Sequence, residues 1–319
     1  MGDLKYKFLI ALVVLSVGVS AQVGVGKPTD KAEAPTSKII DGGRLLKDIE
    51  ILSADDMEGR SADRSAMQKA RDYVEKRFRE SGIQPFAKDY QQEFDIKLRG
   101  SGSIVKGVNF VGQITGRKFP DKYIIVTAHY DHEGIKSGNI YNGADDNASG
   151  TAALFAIAEY FSKEKPGHSL IFVAFDAEEK GLVGSRHFVG NLPVKKDAIL
   201  LNVNMDMISR NDKGELYASG AYHYAHLRPA LEEAQKKAKV KLILGHDRPE
   251  QGPNDWTFQS DHGAFHREKI PFVYFGVEDH KDYHKPTDDF TSIQPAFYVK
   301  AVETVIETIT LLDKKIDSK

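Results

Sequence analysis

Cysteine is absent from all 319 residues. That excludes disulfides and thiolate metal ligands, so any metal site must be built from histidines and carboxylates. An excess of charge of one sign is also missing: 44 Lys and Arg stand against 46 Asp and Glu, a formal net charge of -2. With no long basic run, this balance offers no electrostatic footprint for nucleic acid. Beyond the N-terminus there is no apolar run approaching the ~20 residues that a spanning helix needs, and no internal repeat. What is present, 41% hydrophobic and 28% charged residues, is ordinary globular composition, enough for a large α/β domain.

The chain opens with "MGDLKYK", a lysine-bearing stretch, and "FLIALVVLSVGV", an apolar core of signal-peptide length, followed by the small residues Val19-Ser20-Ala21. Residues 1–21 are therefore expected to be a signal peptide cleaved after Ala21. No cysteine follows for lipid attachment, so the mature protein is expected to be exported, periplasmic or extracellular, without a stable membrane anchor. Residues 22–38 are polar, Pro-containing and aperiodic, and read as a flexible leader. Residues 39–319 read as a single catalytic domain with a helical lead-in, in which Met67, Ala70, Val74 and Phe78 share one helical face.

Five apolar runs follow: "VNFVGQITG", "YIIVTAHYD", "LIFVAFDAEE", "AILLNVNMDMI" and "PFVYFG". Helical patterns such as "ASGTAALFAIAEYFSKE" and "PAFYVKAVETVIETITLLDKK" lie between or after them. Apolar strands interleaved with helices predict an α/β fold with a mostly parallel central sheet flanked by helices on both faces. In such sheets ligands bind beyond the carboxyl ends of the strands. Here those ends carry His129-Tyr130-Asp131-His132, Asp176-Ala177-Glu178-Glu179, Asp206, and a loop with His280 and His284. The loop "NGADDNASG" adds Asp145 and Asp146. A single acidic pair reads as a solvated turn, but so many carboxylates on one edge repel one another unless cations compensate. Histidine and carboxylate ligands without cysteine suit Zn²⁺, and the number of groups suits two metals sharing a carboxylate.

The blocks "TAHYDHEG", "YNGADDNASG", "FDAEEKGLVGS", "NVNMDMI" and "DYHKPTDDF", in this order, resemble the co-catalytic zinc aminopeptidase family, metallo-exopeptidases related to glutamate carboxypeptidase and glutaminyl cyclase. The resemblance runs from about Leu45 to the C-terminus and implies a zinc-exopeptidase-like fold with two Zn²⁺ per chain. It implies His129, Asp145 and Asp206 on one metal, and Asp145, Glu179 and His284 on the other, with Asp145 as the bridge. Glu178 matches the general base. Asp131 suits a carboxylate that orients the His129 imidazole, and Asp146 is expected to hydrogen-bond the loop or cap the next helix. "SDHGAF" makes Asp261 a further supporting group near the site. His132 and His280 match no motif position and are expected to be surface histidines, while Trp256 and Tyr283 could wall a substrate pocket.

The resemblance implies hydrolysis of N-terminal residues from peptide substrates. Two alternatives are a glutaminyl cyclase, a one-zinc acyltransferase on N-terminal Gln, and a non-enzymatic receptor of the same fold. "EEKGLVGS" lacks the insertion expected after the Glu pair in the cyclase branch. The retained ligand set and base speak against a receptor. Nothing in the residues sets the oligomeric state or the preferred side chain.

Overall fold

The computed structural model describes residues 35–316. The expected signal peptide and most of the expected leader lie outside the described residues. Eleven strands occur in chain order: β1 (Gln84–Pro85), β2 (Gln91–Lys97), β3 (Ile104–Ile114), β4 (Phe119–His129), β5 (Gly134–Lys136), β6 (Asn139–Tyr141), β7 (His168–Phe175), β8 (Ile199–Met205), β9 (Glu215–Ser219), β10 (Lys241–Leu244) and β11 (Phe272–Gly276). The helices are α1 (Gly42–Leu52), α2 (Met67–Glu80), α3 (Gly150–Lys163), α4 (Val183–Gly190), α5 (Arg228–Lys237), α6 (His262–Arg267) and α7 (Pro295–Lys315).

Nine strands form one sheet in the order β1-β3-β7-β4-β8-β11-β9-β10, with β2 paired to β3; β5 and β6 make a separate ribbon. The four central strands, β7, β4, β8 and β11, run parallel. Antiparallel ladders join β3 to β7 and β9 to β11 on either side. The five apolar runs became these four central strands and β3. The polar β2, which alternates exposed and buried residues as the partner of β3 in a hairpin, gave no comparable apolar signal.

The core divides by strand parity, because successive side chains on a strand face opposite ways. Ile124 and Val126 of β4, with Leu170, Phe172 and Ala174 of β7, pack with α1, α2, α3, α5 and α7. Ile125, Ile171, Val173 and Phe175 pack instead with Phe188 and Val189 of α4 and with Ala264 and Phe265 of α6. Burial on both faces explains why these strands read as continuous apolar runs. In α2, Met67, Ala70, Val74 and Phe78 are all buried, as the 3.6-residue period requires. Because the central strands are parallel, their carboxyl ends open on one edge, where the polar segments follow.

Candidate active site

Each central strand stops where a polar side chain is needed. Strand β4 ends at His129, β7 is followed by Asp176 to Glu179, β8 by Asp206, and β11 by the loop that carries His284. His129 is buried, and its Nε2 lies 3.3 Å from Asp206 Oδ1 and 3.5 Å from Asp146 Oδ1. On the other side of Asp146, His284 Nε2 lies 3.1 Å from Oδ2 and 3.6 Å from Glu179 Oε1. Asp146 thus stands between two histidines, one oxygen toward each.

That position corrects the expectation for Asp145. Asp145 Oδ1 accepts hydrogen bonds from Ser209 N and Ser209 Oγ, both at 2.7 Å, and its Oδ2 lies 3.0 Å from His280 Nε2. Its carboxylate is already satisfied by these partners and pairs with neither His129 nor His284. Asp146 has extended dihedrals (φ -104°, ψ 95°), so the neighbouring side chains do not share a direction. Nor does Asp146 serve as the expected cap: the loop is held by Asp288, whose carboxylate accepts from the N–H groups of Asp145 and Asp146 at 3.0–3.1 Å. Burial, and then the Asp145 charge, push the Asp288 carboxyl up to about 6.

His132 and His280 also depart from expectation. His132 is fully buried beside the site, with Nδ1 2.8 Å from Glu179 Oε1 and 3.8 Å from Asp146 Oδ2. His280 is the partner of Asp145. Their blocks of sequence pointed to the right loops, but nothing in the spacing distinguished an inward imidazole from an outward one.

Glu178 and Glu179 sit in a turn just past β7, entered through Ala177 at φ 59°. Asp131 holds this turn: its Oδ1 accepts from Glu178 N at 3.0 Å and its Oδ2 from Glu179 N at 3.3 Å. The His129 ring is oriented by the backbone of the same residue, Nδ1 lying 3.2 Å from the Asp131 carbonyl oxygen, with the carboxylate at 3.5 Å. Donation there leaves Nε2 free to face Asp146 and Asp206.

Arg60, which motif reading passed over, ties these loops together. Fully buried, it donates from Nε to Tyr130 O (2.8 Å), from Nη1 to Leu52 O and Asn142 O (both 2.6 Å), and from Nη2 to Gly143 O (2.9 Å). Burial lowers its pKa to about 10, against the opposing charges of Asp146, Asp131, Asp288 and Glu179. The guanidinium remains charged there and partly offsets the local acidity.

The electrostatics are those of a site short of positive charge. Burial opposes protonation of His129, yet Asp206 and Glu178 outweigh it and hold its pKa well above the ordinary value. Burial raises Glu178 well above the usual carboxylate range, against the pull of His129 and with the push of Asp261, Asp206 and Glu179. Glu179 goes the other way: burial opposes ionisation, but His132 and His284 bring its pKa well below normal. Burial pushes Asp261 up to about 7 against the opposing influence of His129 and Ser185. Buried carboxylates in such numbers fit a cation-binding site. Three close groupings could hold a metal: His129, Asp146 and Asp206; His132, Asp146 and Glu179; and Glu133, Glu179 and His284. Their nitrogen and oxygen donors suit Zn²⁺. Next to them, Met207, Trp256, Tyr274, Val277 and Tyr283 line a cavity of about 120 Å³.

Comparisons with known proteins bear on the family and the fold. Aminopeptidase YwaD of Bacillus subtilis is 30% identical over 238 residues, 70% of this chain and 49% of that protein. An aminopeptidase of Pseudomonas aeruginosa is 37% identical over 168 residues, 51% of this chain and 30% of that protein. The chain thus spans half or less of the length of these curated relatives. The solved structure of BSAP, a zinc aminopeptidase from Bacillus subtilis, aligns with a TM-score of 0.68 at 18% identity, covering 86% of this chain and 96% of that one. A glutaminyl cyclase from Porphyromonas gingivalis aligns with a TM-score of 0.67 at 15% identity, covering 86% and 99%. At such identities these structural likenesses speak for the fold alone. The model of Peptidase family M28 matches residues 109–309, from β3 to α7 and across every site loop just described, and the chain belongs to that family.

Proposed function

We propose that this protein is a zinc-dependent aminopeptidase that hydrolyses N-terminal residues from peptides at the carboxyl edge of its central sheet. The observation that carries the reading is the position of Asp146 between His129 with Asp206 and His284 with Glu179. That is two ligand sets sharing one carboxylate, and it supports two Zn²⁺ per chain rather than the single zinc of the cyclase alternative. When bound, the zinc pair would polarise the scissile carbonyl and lower the pKa of the attacking water.

The chain's own groups do the rest. Glu178, half-buried and with its pKa raised, takes the water proton at its carboxylate and passes it to the leaving amine nitrogen. Asp131 keeps the Glu178–Glu179 turn and the His129 ring in register. The side chain of the residue being released packs against Trp256, Met207 and Tyr274, and the small cavity excludes water from it. Asp279, which lines the same cavity and is not among the proposed metal ligands, supplies negative charge for a free N-terminal ammonium.

The apolar segment at residues 8–19 supports export. Among the described residues no helix is long and apolar enough to cross a membrane.

The experiment is a panel of free, N-blocked and N-terminal Gln peptides incubated with the purified protein, with and without a strong zinc chelator. Release of free amino acids from unblocked peptides only, abolished by chelation, is the expected result. Pyroglutamate formation, or cleavage of N-blocked substrates from the C-terminus, would overturn the reading.

A further inference from the structure

His132 lies in the site with no role yet assigned. Its side chain is fully buried, and neither ring nitrogen has a hydrogen-bond partner among the described residues. Leaving a buried polar group unpaired typically costs about 1–3 kcal/mol, so an imidazole in this condition calls for a partner. The nearest is Glu179 Oε1, 2.8 Å from Nδ1, yet the two are oriented so that they make no hydrogen bond, and Oε1 is itself unpaired. Two donor atoms that approach this closely out of line have the relationship of neighbouring ligands on one cation.

We propose that His132 is a protein ligand, through Nδ1, of the second metal, alongside Asp146, Glu179 and His284. The inference rests on the two-metal reading above and goes beyond it by adding a ligand that the family motif does not include. Distances support the pairing of each histidine with the two carboxylates. Zinc–nitrogen and zinc–oxygen bonds of about 2.1 Å allow two ligand atoms on one ion to be at most about 4.2 Å apart. His132 Nδ1 lies 2.8 Å from Glu179 Oε1 and 3.8 Å from Asp146 Oδ2. His284 Nε2 lies 3.1 Å from Asp146 Oδ2 and 3.6 Å from Glu179 Oε1.

The backbone makes room for the ring. A Cβ on Gly143 would fall 2.5 Å from His132 Cγ and Cδ2, and Gly143 has φ +56°. The loop that presents Asp146 therefore has a glycine where the imidazole enters. Four protein donors close a zinc site, whereas three leave a position open. The His132 metal would be the firmly held member of the pair, and the metal of His129, Asp146 and Asp206 would keep the open position for water and substrate.

The test strips metal from the full chain and titrates Zn²⁺ against a chromophoric chelator, for the wild type and for His132→Ala and His132→Gln. The wild type should bind two equivalents, and in both variants one of these should weaken by about 100-fold or more. Glutamine keeps a polar side chain of similar size at this position but replaces imidazole poorly on zinc. Binding of both equivalents by the Gln variant within about threefold of the wild type would overturn the ligand role while leaving the two-metal reading intact. A wild type that binds no zinc would overturn both. If the variants fail to fold, zinc-edge X-ray absorption of the wild type decides: three imidazoles shared by two zincs support the proposal, and two refute it.

Discussion

The carboxylate of Asp131 reaches from the end of β4 to the turn after β7 and accepts the backbone N–H of Glu178 at 3.0 Å. It takes the N–H of Glu179 with its other oxygen, and its own backbone carbonyl lies 3.2 Å from His129 Nδ1. One residue therefore positions a histidine and a carboxylate proposed to bind metal, together with the proposed base. Replacing it with alanine leaves two partly buried amides without acceptors. Asp131→Ala should lower zinc affinity about 10–100-fold, the usual effect of losing a group that orients a ligand. Asp131→Asn, which keeps one acceptor oxygen, should lie between alanine and the wild type. Zinc titration of the three proteins checks the order, and an alanine variant with unchanged affinity would contradict it.

Glu178 is separated from its neighbour by environment. Burial and nearby carboxylates raise its pKa, while His132 and His284 lower that of Glu179. A group that must accept and return a proton is suited by the first condition, and a ligand by the second. Glu178→Gln should therefore retain its zinc and lose about 10²–10⁴-fold in kcat. Glu179→Gln should lose zinc. Metal content and turnover measured on the same preparations separate the two roles, and near-normal turnover of Glu178→Gln would remove the base from the mechanism.

Much of the site could be read from the sequence, because strand ends are visible as the place where apolar runs stop. His129, Glu178, Glu179, Asp206 and His284 all lie at or after the ends of central strands, at the carboxyl edge of the sheet. The adjacent pair Asp145-Asp146 could not be resolved the same way. Which of two neighbouring carboxylates turns inward depends on the local dihedrals and on Ser209 and His280, which lie 64 and 135 positions away. The same holds for Arg60, whose four carbonyl partners come from three separate segments and leave no pattern in the chain. In the fold, the central strands were legible because both faces are apolar, whereas β9 and β10 are short and join at the margin.

The Asp145–Asp146 geometry can be separated by mutation. Asp146→Asn removes the shared carboxylate and should abolish tight zinc binding. Asp145→Asn can keep its acceptor contacts to Ser209 while losing the charge that faces His280. It should retain zinc and lose about 1–3 kcal/mol of stability, the range for a disturbed buried polar contact. Urea unfolding together with zinc titration checks both, and loss of zinc in the Asp145 variant alone would restore Asp145 as the bridge.

Behind the site, Arg77 of α2 binds Asp48 of α1 in bidentate fashion, Nε–Oδ1 at 2.8 Å and Nη2–Oδ2 at 2.9 Å, with both side chains buried. Nη2 also reaches Glu159 of α3 at 2.7 Å, and Tyr73 donates to Asp48 at 2.6 Å. Removing one partner leaves a buried charge undercompensated, so Asp48→Ala should cost about 3–5 kcal/mol. The double variant Asp48→Leu/Arg77→Met, which removes both charges, should be much less destabilised than the sum of the single changes. Denaturant unfolding of Asp48→Leu, Arg77→Met and the double variant measures this, and additive losses would show that the two residues are not coupled.

His262, at the start of α6, gives acid sensitivity without touching the proposed metal ligands. It is fully buried, its Nε2 donates to Trp256 O at 2.8 Å, and its ring stacks on Tyr274. Burial lowers its pKa from 6.5 to about 4, more than its hydrogen bond and nearby acidic groups can restore. The unfolded chain therefore takes up a proton below pH 6.5 that the folded chain refuses until about pH 4. Stability from this group is complete above pH 6.5 and is lost progressively as the pH falls toward 4. At pH 5 the loss amounts to about 2 kcal/mol. His262→Gln keeps a donor for Trp256 and cannot titrate, so its stability should fall less than that of the wild type between pH 7.5 and 5, by about that amount. Urea unfolding at the two pH values compares the slopes, and parallel losses in the two proteins would assign the acid sensitivity to other groups.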